Sequence, residues 1–190
     1  LHPWSTWPTF YRGVDNSRHR ILFLNQEKEF DNKYPPVWKI LLEKNFSIGI
    51  FGSLQSYPPI INKNVKFYLP DTFAPKYDAH PKDLETFQKF NLKIVSNNSG
   101  EVRSIRFLEI KYFFNCIFKN IIGFKTAAKI IIQLFQEKLN KRYCRRRSLI
   151  QPLLTFDLYY KNLKKHKPDF STFFTNHLAG MMHYYWLDIF

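Results

Sequence analysis

The stretch from Tyr34 to Gly52 constrains the fold more than any other part of this chain. Tyr34-Pro35-Pro36 reads as a helix start, and Val37, Trp38, Leu41 and Leu42 then recur at helical spacing until Asn45 stops the pattern. Phe46-Ser47-Ile48-Gly49-Ile50-Phe51-Gly52 follows at once, an apolar run of β-branched and aromatic residues that predicts a buried strand. A helix running straight into a strand with no polar face points to an α/β layer architecture. A loop carrying Tyr57-Pro58-Pro59 leads to a second predicted strand, Val65 to Leu69, and Pro81-Lys82-Asp83-Leu84-Glu85 opens a helix reaching about Asn91. Near the end, Lys167-Pro168-Asp169 gives way to strand character from Phe170 to Thr175. The expected fold is α/β, a mostly parallel sheet sandwiched by helices.

Between those parts the pattern changes. From Ile105 to about Lys165 the sequence predicts long helices, with Phe107, Ile110, Phe113, Phe114 and Ile117 as one apolar stripe and Ala127, Ile130, Ile131, Leu134 and Phe135 as another. Three parts are therefore expected: the N-terminal part of an α/β domain (1–100), a helical insert or cap (101–167), and a return to the α/β domain (168–190). The insert holds the densest charge block, Lys138 to Arg147, in a chain with 29 Lys and Arg against 15 Asp and Glu, a net charge of +14. Arg145, Arg146 and Arg147 form a candidate patch for an anionic polymer or membrane surface, or simply a solvated helix face. The block lacks a nucleic-acid recognition motif, and its aromatics sit at core-like spacing, so no specific nucleic acid is expected.

With 45% apolar residues the 190-residue chain has material for a core of ordinary size, which excludes a disordered or collagen-like chain. Its two cysteines, Cys116 and Cys144, match no zinc or redox spacing, and are read as free thiols of a reducing, cytoplasmic compartment. No apolar run approaches the length of a membrane span. P-loop, GxGxxG, HExxH, GxSxG and CxxC signatures are absent.

Two groups of residues remain for chemistry. Ser5 or Thr6, followed by Pro8, resembles a helix N-cap, with a short helix from about Trp7 to Tyr11 ending at Gly13. A hydroxyl there is either only a cap or a nucleophile, because helix-start amides favour a developing alkoxide and bind an anion. His177 and His183 follow the last predicted strand and are either core-edge histidines or ligands of one zinc-like ion.

Three segments together resemble the alkaline phosphatase superfamily, in its type I phosphodiesterase/nucleotide pyrophosphatase-like branch. The first is Thr6-Trp7-Pro8-Thr9-Phe10-Tyr11-Arg12-Gly13 with His19-Arg20-Ile21, similar to that family's nucleophile region, although the interval from Thr6 to Gly13 is shorter than usual. Another is the order Pro36 to Leu41, Gly49 to Gly52, Ser56-Tyr57-Pro58-Pro59 and Tyr68-Leu69-Pro70-Asp71-Thr72-Phe73. The last is Thr175-Asn176-His177 with His183-Tyr184-Tyr185-Trp186, where Ala179 stands at the position of the family's metal-binding Asp. The resemblance covers residues 1–95 and 168–190 and implies an alkaline-phosphatase-like fold. It further implies a small phosphate- or sulfate-ester substrate and Thr6 (with Ser5 as substitute) as a nucleophile that becomes phosphorylated. Arg12 and His19 would lie beside the substrate, and His183 with His177 or Asn176 would hold a divalent metal, zinc, one of the two ions of the full family site. The family's remaining ligands lie upstream and downstream of these segments, so the chain is expected to be a piece of a longer hydrolase.

Overall fold

The computed structural model describes residues 2–24, 26–28, 31–97, 107–119, 121–176 and, singly, 179, 182 and 186, with only the backbone described at 94–97, 107–109, 145, 147 and 148. Three parallel strands, β1 (Ile48–Phe51), β2 (Val65–Leu69) and β3 (Phe170–Phe173), form one sheet in the order β2-β1-β3. The α/β expectation and the parallel pairing hold at this level. β2 begins and ends where the sequence places it, and so does the helix before β1 (Val37–Glu43).

The sheet is covered on both faces. Helices α1 (Pro3–Arg12), α2 (Asn16–His19) and α3 (Val37–Glu43) precede β1, and Tyr11 and Trp38 pack with Ile48, Ile50, Val65 and Tyr68 in one apolar cluster. Helices α4 (Asp83–Asn97), α5 (Phe107–Phe118), α6 (Phe124–Leu139) and α7 (Ile150–His166) supply the other cluster, in which Phe87, Phe113, Ile130, Leu154 and Leu158 meet Phe51, Phe67 and Leu69. Val65 and Tyr68 are three residues apart yet share a face. The register slips between Ile48 and Gly49, where a bulge at Lys66 restores the alternation for Phe67 and Leu69.

The helical stretch expected as an insert or cap shares its core with the sheet. Tyr159 on α7 touches rings on β1 and β3, lying 5.7 Å from Phe51 and 4.9 Å from Phe173, and its hydroxyl is 2.9 Å from Ser171 Oγ. A polar thread also ties α4 to α7. Gln88 Nε2 donates to Asp71 O (2.9 Å), Asn91 Nδ2 donates to Gln88 Oε1 (3.3 Å), and Gln151 Nε2 on α7 donates to Asn91 Oδ1 (2.8 Å).

Three expectations need correction. α1 does not start at Ser5 or Thr6: His2 is the N-cap and Pro3 opens the helix, since its fixed φ and missing N–H suit the first turn. α4 runs past Asn91 to Asn97, a stretch with neither Pro nor Gly to break it. The two predicted stripes of the helical stretch are only half buried. Phe113, Ala127 and Ile130 are in the core, whereas Ile110, Phe114, Ile131 and Phe135 face solvent. On α6 the apolar residues fall on two sides of the helix, and sequence spacing merges them into one stripe.

Candidate functional site

The carboxyl edge of a parallel sheet is where α/β folds place their sites, because the strand ends and the loops leaving them converge there. α1 lies over that edge. Trp4 meets Phe73 beyond β2 edge-on at 5.2 Å, and Trp7 meets Phe174 just beyond β3 at 4.8 Å. Gly52, the residue after β1, has φ +71°, and a Cβ there would stand 2.7 Å from Phe174 O, so only glycine lets these two strand ends come so close. Beside it Ser53 Oγ and Thr172 Oγ1 are 2.7 Å apart, and Tyr11 is hydrogen-bonded to Ser53, its phenol pushed up to about 12 mainly by burial.

The structure separates the two candidate nucleophiles. Ser5 is buried on the inner face of α1, and its hydroxyl has no hydrogen-bond partner among the described residues. Thr6 is exposed, with Oγ1 donating to His2 O at 3.1 Å. Neither caps the helix, but both sit in its first turns.

Arg12 and His19, assigned to substrate by the resemblance, are engaged inside the fold. Arg12 Nη2 is 2.7 Å from Asp31 Oδ1, Nη1 donates to Tyr34 O at 2.5 Å, and the side chain is 4% exposed. Burial lowers the guanidinium's pKa, and Asp31 opposes the shift. His19 Nδ1 accepts the Ile21 N–H at 3.0 Å, which places the ring proton on Nε2. Nε2 therefore donates to Thr9 Oγ1 (2.9 Å), and the Thr9 hydroxyl in turn donates to Ser5 O (3.0 Å). Burial first, and then the Arg12 charge, hold His19 below its ordinary pKa and keep it neutral. Its two nitrogens are both occupied, so it acts as a brace between α1 and the Arg20–Ile21 turn.

Sequence reasoning passed over two charged groups at this edge. Asp71, two residues beyond β2, is buried with Oδ2 accepting from Gln55 N (2.9 Å) and Oδ1 from Phe73 N (2.8 Å). Burial raises its pKa, and those amides oppose the rise. The available signal was an acidic residue two places after a predicted strand. Lys28 donates to Tyr57 O, and burial lowers its ammonium to about 8, with Asp31 and Asp71 pulling the other way. No pattern around Lys28 announces this.

Of the expected metal ligands, Asn176 is exposed past the end of β3, and His177 and His183 lie outside the described residues. Among the described residues no group of three or more His, Cys, Asp or Glu is placed to hold a metal ion. The described donors therefore do not make up the implied zinc site. In the basic segment, a 3₁₀ stretch from Lys141 to Leu149, the Arg146 guanidinium lies 4.9 Å from the centre of the Tyr143 ring, while the Arg145 and Arg147 side chains lie outside the described residues. No described helix is long and apolar enough to cross a membrane. Comparison with known protein families, curated proteins and solved structures finds no match for this chain.

Proposed function

We propose that this chain forms part of a phosphoric ester hydrolase, with Thr6 as nucleophile and a phosphodiester as substrate. The observation that carries the reading is the position of Thr6: its hydroxyl is open to solvent in the first turns of a helix laid over the carboxyl edge of a parallel sheet. Attack by Thr6 Oγ1 on phosphorus forms a phosphate ester of Thr6 as the bond to the leaving ester oxygen breaks, the hydroxyl proton being carried by solvent to that departing oxygen. Water then hydrolyses that intermediate and restores the hydroxyl. Ser5 is an unsuitable substitute because its side chain is buried on the inner face of α1. His19 is not the base, since its ring proton is held on Nε2 towards Thr9. The resemblance to the alkaline phosphatase superfamily adds a zinc requirement, with His183 and either His177 or Asn176 as ligands, and makes a sulfate ester the alternative substrate.

The test is turnover of an aryl phosphodiester and of an aryl sulfate with added zinc, for a version of the chain extended on both sides and for its Thr6→Ala and Ser5→Ala variants, little turnover being expected of residues 1–190 alone. The reading expects phosphodiester turnover that falls by at least about a hundredfold in Thr6→Ala, together with a phosphoryl group on Thr6 detected by mass spectrometry. Turnover indifferent to Thr6→Ala, or the absence of both turnover and phospho-Thr6, overturns it. Preference for the aryl sulfate would transfer the assignment to sulfate esters.

A further inference from the structure

α6 is amphipathic in an unusual sense: it has a buried apolar side and a second, solvent-facing one. Ala127 and Ile130 are in the core with Leu134 packed against it, and Asp157 on α7 accepts the Gly123 N–H (2.7 Å) at the helix start, so α6 is fixed on the body. On the adjoining, outward side Phe124, Ile131, Ile132, Phe135 and Leu139 are 85%, 49%, 56%, 63% and 73% exposed. At 100° per residue these five, with the exposed Ala128 between them, occupy about 100° of the helix circumference. A stripe of large apolar side chains that the fold leaves in water is a surface built to meet something.

Its borders identify the partner. Lys125 and Lys129 flank the stripe on one side and Lys138 on the other, all exposed, and the helix's single carboxylate, Glu137, is buried. Beyond Leu139 the chain passes directly into Lys141-Arg142-Tyr143-Cys144-Arg145-Arg146-Arg147. We propose that α6 lies in the plane of an anionic lipid surface, with Phe124, Ile131, Ile132, Phe135 and Leu139 entering the boundary between headgroups and acyl chains. The lysines at its borders and the basic segment after it engage lipid phosphates and carboxylates. Long lysine side chains beside an apolar stripe suit this placement, since their stems follow the stripe into the interface while the ammonium stays at headgroup level. A nucleic acid fits the positive charge but offers nothing to Ile131, Ile132 and Leu139, so a lipid surface is the better match. The proposal is independent of the hydrolase reading.

The test is sedimentation of the chain with vesicles of phosphatidylcholine alone and with about one-third phosphatidylserine added. Binding is expected to the anionic vesicles at low salt and not to the neutral ones. Phe124→Ser with Phe135→Ser should lower the partition coefficient at least about tenfold, and Lys125→Glu, Lys129→Glu and Lys138→Glu together should lower it on the order of a hundredfold. All five side chains face solvent, so circular dichroism and the thermal midpoint of these variants should match wild type. No binding to anionic vesicles at low salt overturns the proposal, as does binding that the phenylalanine changes leave intact, which would be charge attraction shared with any polyanion. A dimer dissociated by Phe135→Ser, in a chain that ignores vesicles, would likewise overturn it and give the face to a second copy.

Discussion

Gly49 and Phe67 lie across from one another on paired strands, and the Phe67 ring occupies the place a side chain at Gly49 would need. A Cβ built on Gly49 falls 2.2 Å from Phe67 Cζ, and Phe67 is fully buried against α7. Gly49→Ala is therefore expected to destabilise the chain by about 2–3 kcal/mol through overpacking. Adding Phe67→Leu should make the double variant less destabilised than the sum of the two single changes. Denaturant unfolding of all four chains checks this, and strict additivity would mean that the ring moves aside at little cost.

The Arg12 fork makes a second prediction. It joins Asp31 and the Tyr34 carbonyl from an almost fully buried position. Arg12→Leu leaves both acceptors without their donor and should cost about 3 kcal/mol. Arg12→Lys should rescue little of this, because one ammonium cannot reproduce the planar pair of donors. Recovery of wild-type stability in Arg12→Lys would show that the charge alone suffices.

His19 links stability to acid. Its folded-state pKa lies below the ordinary 6.5, so below that pH the unfolded chain binds a proton that the folded chain resists. Its contribution is complete above about 6.5 and is lost as the pH falls from there towards the folded value. His166 shifts in the same direction, again by burial, and supplies a background that a change at position 19 leaves in place. Thermal midpoints from pH 7.5 to 5 should fall less steeply in His19→Gln than in wild type, and parallel slopes would contradict the assignment.

The two thiols should differ sharply. Cys116 is fully buried and its pKa is raised to about 11 by burial, whereas Cys144 is partly exposed. With a disulfide reagent at mild alkaline pH, one thiol is expected to react quickly and the second only on unfolding. Cys144→Ser should abolish the fast phase. Two equally fast thiols would mean that the pocket around Cys116 opens readily.

How much of this the sequence discloses depends on how local the cause is. α3 and β2 are legible because Pro36, Asn45 and the β-branched and aromatic run of Val65–Leu69 act within their own segments. The start of α1 misleads, because Ser5 and Thr6 carry the residue types of a cap while Pro3 sets the actual first turn. The site is harder still. Thr6 and Ser5 are equivalent in a sequence, and only the seat of α1 over Phe73 and Phe174 buries one and exposes the other. Lys28 and Asp31 gain their meaning from Arg12 and Tyr57, partners that no spacing rule connects. Likewise α6 shows one long apolar pattern, and tertiary packing alone divides it into a side for the core and a side for something else.

The order of the strands sets an order in time. β1, at the centre, finds its partner β2 soon after it in the chain, yet its other edge waits for β3, and Ser47 Oγ meets Asp169 Oδ2 across 122 residues of sequence. On a ribosome, β1 and β2 emerge long before β3 exists, and the unpaired edge of β1 is left bare throughout that interval. A nascent chain paused inside α7 should thus be open to proteases and chaperones at β1, and become resistant once Phe173 has cleared the exit tunnel.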